Sequence, residues 1–188
     1  MKPLDWEMSL SLEVVAVDAL DSRARTEIIG LCESAYGESF AHLFEELSGS
    51  VHVLARDERG VLVSHAEWVT RWLQPADHPM LRTAYVEAVA TMPEMQRRGL
   101  ATAVMRHVGE VLRVDPAWEL AALSPSNAKF YSRLGWELWG GSLAIRRGDR
   151  IEPTPSDEEV MILRLPRTPV TLDPSSLLTA EWRTGELW

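Results

Sequence analysis

The chain has 188 residues, 46% of them hydrophobic and 25% charged, enough for one domain with a real core and too few for two of ordinary size. No apolar run reaches the roughly 18 residues of a transmembrane helix, MKPLDWEMSL is too acidic and broken for a secretory signal, and the single Cys32 supports neither an internal disulfide nor a Cys-based metal site. These features point to a cytoplasmic protein with no membrane partner, and a net charge of −9 argues against nucleic acid, whose phosphates need a cationic face.

Met8–Val17 is β-branched and partly alternating, which predicts a first strand. Asp18 or Asp21 then caps a helix that stops near Gly37, with Ala24, Ile28, Leu31, Cys32 and Ala35 on its apolar stripe. Cys32 on that stripe reads as packing rather than as a nucleophile. A shorter helix covers Ala41–Leu47. Val51–Ala55 and Val61–Leu73 are strands joined by the turn Asp57-Glu58-Arg59-Gly60, and the two prolines of Gln74–Pro79 take the chain out of the sheet. Arg82–Met92 is the strongest strand. Strict alternation puts Tyr85, Glu87, Val89 and Thr91 on one face and Ala84, Val86, Ala88 and Ala90 on the other.

After Pro93 a glycine-containing turn leads into a helix striped by Ala101, Val104, Met105, Val108, Val111 and Leu112. Trp118–Leu123 is a strand, and Ser126 caps a short helix that ends at Gly135. Leu138–Ile145 and Val160–Leu165 close the sheet, while Arg167–Trp188 suggests no regular element. The order describes a single α+β domain over residues 1–188 with a mixed sheet. Residues 1–50 form an N-terminal strand and helices, 51–140 the core, and 141–188 the closing strands and tail.

Charge is uneven along this order. Residues 1–50 carry 10 acidic against 3 basic side chains, residues 51–148 carry 10 against 12, and residues 149–188 carry 8 against 4. An electropositive centre between acidic flanks suits an anionic ligand in the middle and a cationic one at the edges, although acidic flanks also serve solubility. The motif Gln96-Arg97-Arg98-Gly99-Leu100-Ala101 lies between the strongest strand and an amphipathic helix. A helix N-terminus presents unpartnered N–H groups and partial positive charge; Gly99 admits close backbone approach, and two arginines add full charges. His42, His52, His65, His78 and His107 stand isolated without metal spacing, so no metal is expected.

Strand, Gln-x-x-Gly-x-Ala turn, helix, strand, short helix with Tyr131, then Gly135-Trp136, resembles the GNAT superfamily of acetyl-CoA-dependent N-acetyltransferases over roughly residues 50–140. The resemblance implies a mostly antiparallel central sheet flanked by helices. It also implies that Gln96, Arg97, Arg98, Gly99, Ala101 and Thr102 hold the pyrophosphate of acetyl-CoA, with the backbone of Val89 and Thr91 along its pantetheine arm. Tyr85-Val86-Glu87-Ala88-Val89-Ala90, Ala122-Leu123-Ser124, Leu134-Gly135-Trp136 and the ending Glu181-Trp182-Arg183-Thr184-Gly185-Glu186-Leu187-Trp188 look like the aminoglycoside 2′-N-acetyltransferases.

That second resemblance implies direct acetyl transfer to the 2′-amino group. Acyl transfer needs a neutral amine, and an aminoglycoside amine is mostly ammonium at neutral pH, so a base must take a proton. Glu87 matches the family's base, acting through water, and Tyr131 matches the acid for the departing sulfur. The Val89 N–H matches the donor to the thioester oxygen. Glu38, Glu87, Ser124, Glu186, the carboxylate of Trp188 and one of Asp157, Glu158 and Glu159 match the substrate side. Which of those three acids faces substrate is open, because the run is shifted relative to the preceding Thr-Pro. A homodimer is implied as well. Eight tryptophans against three phenylalanines are read mostly as core. The rival readings are a GNAT enzyme acting on another polyamine, sugar amine or peptide N-terminus, and a non-catalytic module that binds acyl-CoA or sequesters an aminoglycoside.

Overall fold

A computed structural model describes residues 9–46, 49–155, 157–184 and 187–188. The predicted first strand is β1 (Ser11–Ala16); Met8 lies outside the described residues. Asp21 is the cap of α1 (Ser22–Tyr36), its carboxylate accepting from the Ala24 amide at 2.7 Å, and Gly37 ends the helix. The short helix is α2 (Leu43–Glu46). β2 (Val51–Arg56) and β3 (Leu62–Pro75) form the expected hairpin.

Three boundaries differ from the sequence reading, two of them because a distant segment supplies a partner and one because a neighbouring residue caps instead. β3 runs on through Pro75 instead of leaving the sheet at Gln74. The proline sits at the strand's last position opposite Leu178, and the Ala76 amide donates to the Leu177 carbonyl at 2.8 Å. After β4 (Leu81–Thr91), α3 (Leu100–Val114) and β5 (Leu120–Leu123), the cap of α4 (Ala128–Ser132) is Asn127 and not Ser126. The Asn127 carboxamide accepts from the Phe130 amide at 3.2 Å. Leu138–Ile145 is two strands, β6 (Glu137–Leu138) and β7 (Leu143–Arg147). Between them the Gly140 and Gly141 amides both donate to the Pro174 carbonyl, and a Cβ on Gly141 would stand 1.8 Å from the Ser176 oxygen. Only glycine admits the tail so closely there.

β8 (Arg150–Pro153) and β9 (Met161–Arg164) follow, and the tail that suggested no element contributes β10 (Leu178–Glu181). Among the described residues the strands form one ten-stranded sheet, with β6-β9-β5-β4-β3-β10-β7-β8 as its main path and β1 on β2 beside β3. All pairings are antiparallel except β4 with β5 and β10 with β7. The fold is therefore α+β with a mostly antiparallel sheet, as expected. α1 packs on one face through Ile28, Leu31 and Cys32, and α3 on the other through Val104, Met105, Val108 and Leu112. Trp68, Trp118, Trp136, Trp139 and Trp188 are buried, whereas Trp72, on the far end of β3, is 44% exposed.

Two features of β4 position the site. β5 pairs with it only over Thr83–Tyr85, so from Val86 onward that edge has no strand partner among the described residues. The register with β3 also steps from Glu67 opposite Glu87 to His65 opposite Ala90, a bulge with Ala88 at φ +48°. The bulge overturns strict alternation. Ala88 and Ala90 join the cluster of Tyr85, and Val89 joins that of Val86.

Candidate active site

A cleft of about 540 Å³ opens where the bulged half of β4 parts from β5. One wall is Tyr85–Val89, a second is Leu123–Ser126 with Tyr131, a third is the segment from Tyr36 to Leu43, and Arg183, Thr184 and Trp188 close it from the tail. Six predicted residues meet there: Glu38, Glu87, Val89, Ser124, Tyr131 and Trp188. Tyr36, at the end of α1, donates its hydroxyl to the Val89 carbonyl at 3.0 Å, which ties the helix to the bulge.

Glu87 is largely buried, and its carboxylate accepts from Arg183 Nη1 at 2.5 Å. Tyr131 is 5% exposed; burial pushes its phenol up to about 12, against the opposing effect of the Ser126 hydroxyl. It therefore keeps its proton at neutral pH and can serve as a donor. Ser126, which does not cap α4, has its role here.

The tail reaches the cleft because Arg71 holds it. This guanidinium is 1% exposed, lies 5.0 Å from the centre of the Tyr85 ring, and donates to the Leu187 carbonyl at 2.6 Å and the Glu181 carbonyl at 2.8 Å. Its Nε also reaches the Glu181 carboxylate at 3.4 Å. Planar guanidinium donors suit two chain segments converging on one plane. The adjoining Trp188 ring is buried at the cleft.

Gln96–Thr102 lies beyond the end of β4 and not in the cleft lining. Arg97 at φ +61° and Gly99 at φ +85° turn the chain into α3, and no atom stands within 4 Å of a Cβ built on Gly99. Arg97 and Arg98 are exposed. Open space beside a left-handed glycine, a 15-residue helix start and two arginines fit a bulky anion. The Gln96 carboxamide donates to the Thr91 carbonyl at 3.4 Å, and the Thr91 hydroxyl pairs with that of Ser64 at 2.8 Å, so both brace the turn.

A family model for the acetyltransferase (GNAT) domain matches residues 17–139. The chain is 34% identical to the aminoglycoside 2′-N-acetyltransferase of Mycolicibacterium fortuitum, over 93% of this chain and 90% of that one. It belongs to the GNAT acetyltransferases. Its fold is that of the Escherichia coli GNAT family N-acetyltransferase YhbS, solved in complex with CoA: TM-score 0.61, 16% identity, 93% of this chain and 91% of that one. It spans about a third of some longer solved structures, such as the GCN5-related N-acetyltransferase of Kribbella flavida, with 34% of that chain and 71% of this one covered, TM-score 0.54 and 21% identity.

Other predicted residues of this GNAT chain fall elsewhere. Asp157, Glu158 and Glu159 are exposed and line no part of the cleft, although the charge of Glu158 is felt at Tyr85. Glu186 lies outside the described residues. The histidines are not all isolated: His52 and His65 meet at 3.0 Å on neighbouring strands, with Glu67 beside them. No group of three or more metal-ligating side chains occurs among the described residues. Nor is any described helix long and apolar enough to cross a membrane. Arg71, Arg183, His52, His65 and Glu67 escaped the sequence reading. The available signal was three ionisable residues at apolar strand positions: His52, His65 and Glu67.

Proposed function

We propose that this acetyltransferase transfers the acetyl group of acetyl-CoA to the 2′-amino group of an aminoglycoside. The observation that carries the reading is the meeting of Glu87, Val89, Tyr131 and Trp188 in one cleft beside the open edge of β4. Acetyl-CoA would supply an activated thioester. The turn Gln96–Thr102 would hold its pyrophosphate, and Val89 and Thr91 would offer backbone groups to its arm. Glu87 takes the ammonium proton through water, the Val89 N–H faces the thioester oxygen, and the Tyr131 hydroxyl holds the proton for the sulfur. Ser124 and Glu38 contact the sugar, and Trp188 lines the same side of the cleft.

Thiol release measured with two aminoglycosides that differ only in a 2′-amino or 2′-hydroxyl group tests the reading. Turnover confined to the 2′-amino compound is the expected result; equal turnover of both removes the 2′ assignment. Two observations favour a smaller amine as a second reading: Glu87 is already matched by Arg183, and the acids 157–159 stay outside the cleft. A polyamine turned over faster than any aminoglycoside would support that alternative. Binding of either ligand without thiol release would instead mean a non-catalytic module.

A further inference from the structure

Beneath the cleft, on the α1 side of the sheet, lies a buried polar group with no part in the acetyl transfer described above. Ser50, His52, His65 and Glu67 are each no more than 1% exposed. The positions of their hydrogens follow from the acceptors. His65 Nδ1 lies 3.0 Å from the Ala88 carbonyl oxygen, which only accepts, so Nδ1 carries the hydrogen. A neutral His65 then offers a lone pair at Nε2, 3.0 Å from His52 Nδ1, which must donate. The lone pair of His52 is thereby left at Nε2, facing the Ser50 hydroxyl at 2.9 Å and Glu67 Oε2 at 3.4 Å.

A carboxylate at Glu67 would set a second lone pair against that nitrogen, and the Ser50 hydroxyl, the group that favours the charged form of Glu67, lies at 2.9 Å against His52 Nε2 instead of being committed to the carboxyl. A carboxylic acid there removes the conflict. Burial favours the acid most, the Ser50 hydroxyl opposes it and Glu87, opposite across β4, supports it; His52 faces Glu67 from β2, and Cys32 reaches it from α1 as a buried thiol. Arg25, also on α1, disfavours a proton on His52. Burial keeps both imidazoles neutral as well.

The chain of donors ends at the Ala88 carbonyl, in the wall of the cleft. Ala88 is the bulge residue, held at φ +48° where a side-chain-bearing residue is unfavourable, and it sits between Glu87 and Val89. We propose that Ser50, His52 and His65 form a positioning relay, closed at its inner end by un-ionised Glu67. In it, the His65 Nδ1–H holds the Ala88 carbonyl and so fixes the bulge that sets Glu87 and the Val89 N–H in the cleft. The catalytic consequence rests on the acetyl-transfer reading; the hydrogen-bond pattern does not.

His65→Asn keeps a donor at the Nδ1 position, and His65→Leu removes it. The Leu variant should lose about a hundredfold in kcat through misplaced groups, with the acetyl-CoA KM within about threefold, while the Asn variant stays within about threefold of the parent in both. Amide exchange at Glu87–Val89 should quicken in the Leu variant alone. Imidazole nitrogen NMR of the unaltered protein should show His65 neutral and protonated at Nδ1 from about pH 5 to 8. A hydrogen at Nε2, or Asn and Leu variants that behave alike, overturns the proposal. Should the Leu variant fail to fold, the NMR assignment decides alone. Exchange and NMR need no amine, so a parent enzyme that acetylates nothing would strike the functional reading and leave the relay standing.

Discussion

The two sides of the cleft are built on opposite plans. The side proposed for the cofactor is consecutive chain: β4, the turn Gln96–Gly99 and α3, one after another. The amine side is assembled from the α1–α2 connection, the bulge and the last residues of the tail, with Arg71 tying the tail down from the far end of β3. A site made of neighbours in sequence carries its chemistry in a readable motif and tolerates change elsewhere. A site made of distant segments depends on anchors that take no part in the reaction. On the proposed reading the same fold thus combines a generic acyl-donor wall with a specific acceptor wall, each open to separate disruption.

The largest effect should come where the walls meet. Glu87→Gln removes the only proton acceptor proposed for the amine, and kcat should fall by about a hundredfold or more while acetyl-CoA binding by calorimetry stays within about twofold. A pH–rate profile unchanged in shape and height would take Glu87 out of the mechanism. Arg71→Met separates the walls instead. It cuts the anchors to Leu187 and Glu181 without touching the turn at Gly99, so the amine KM should rise about tenfold and the acetyl-CoA KM by less than about twofold. Equal rises in both would mean that the tail supports the whole cleft rather than its acceptor side.

The contrast also explains what the sequence made legible. The Gln96–Ala101 motif, the amphipathic stripe of α3 and the cap Asp21 are local, and each stands where its residue pattern placed it. The bulge at Ala88 is not local: Tyr85-Val86-Glu87-Ala88-Val89 alternates well enough to read as a plain strand, and only the opposing ladder of β3 shows the extra residue. Pro75 likewise reads as a strand breaker until β10 comes to meet it from a hundred residues away in the chain. Glu67 and His65 resemble ordinary strand residues because one sequence does not show which face of β3 lies under α1. The acids at 157–159 lie outside the cleft lining for the converse reason: like charges in a loop match a family pattern whether or not they face inward.

Stability gives a smaller test, confined to the amine side. Burial raises Glu67 from 4.5 to about 8, so the folded protein holds a proton that the unfolded chain gives up. That contribution is full below about pH 4.5 and is lost as pH rises to about 8. The histidines act in the opposite sense. Burial lowers His52 to about 4 and His65 to about 3, so their contribution is present above pH 6.5 and lost as pH falls through those values. Stability should therefore peak near pH 6.5 and decline toward pH 8, by at most about 1.4 kcal/mol per pH unit, or a few degrees in Tm. Glu67→Gln should flatten the decline above pH 6.5. A decline that survives in the variant would assign the missing proton to another group.

The smallest effect is expected outside both walls. Asp157 and Glu158 are exposed and line no part of the cleft, so neither touches a bound cation, and beyond the effect of Glu158 at Tyr85 their charge is screened by solvent within about 10 Å. Changing both to Asn should alter the amine KM by less than about twofold at 0.15 M salt and slightly more at low salt, with kcat unchanged. A tenfold rise in KM that persists at high salt would mean that one of these acids swings in to contact the substrate. The acceptor wall would then have one more distant segment, and it would be assembled only when the amine arrives.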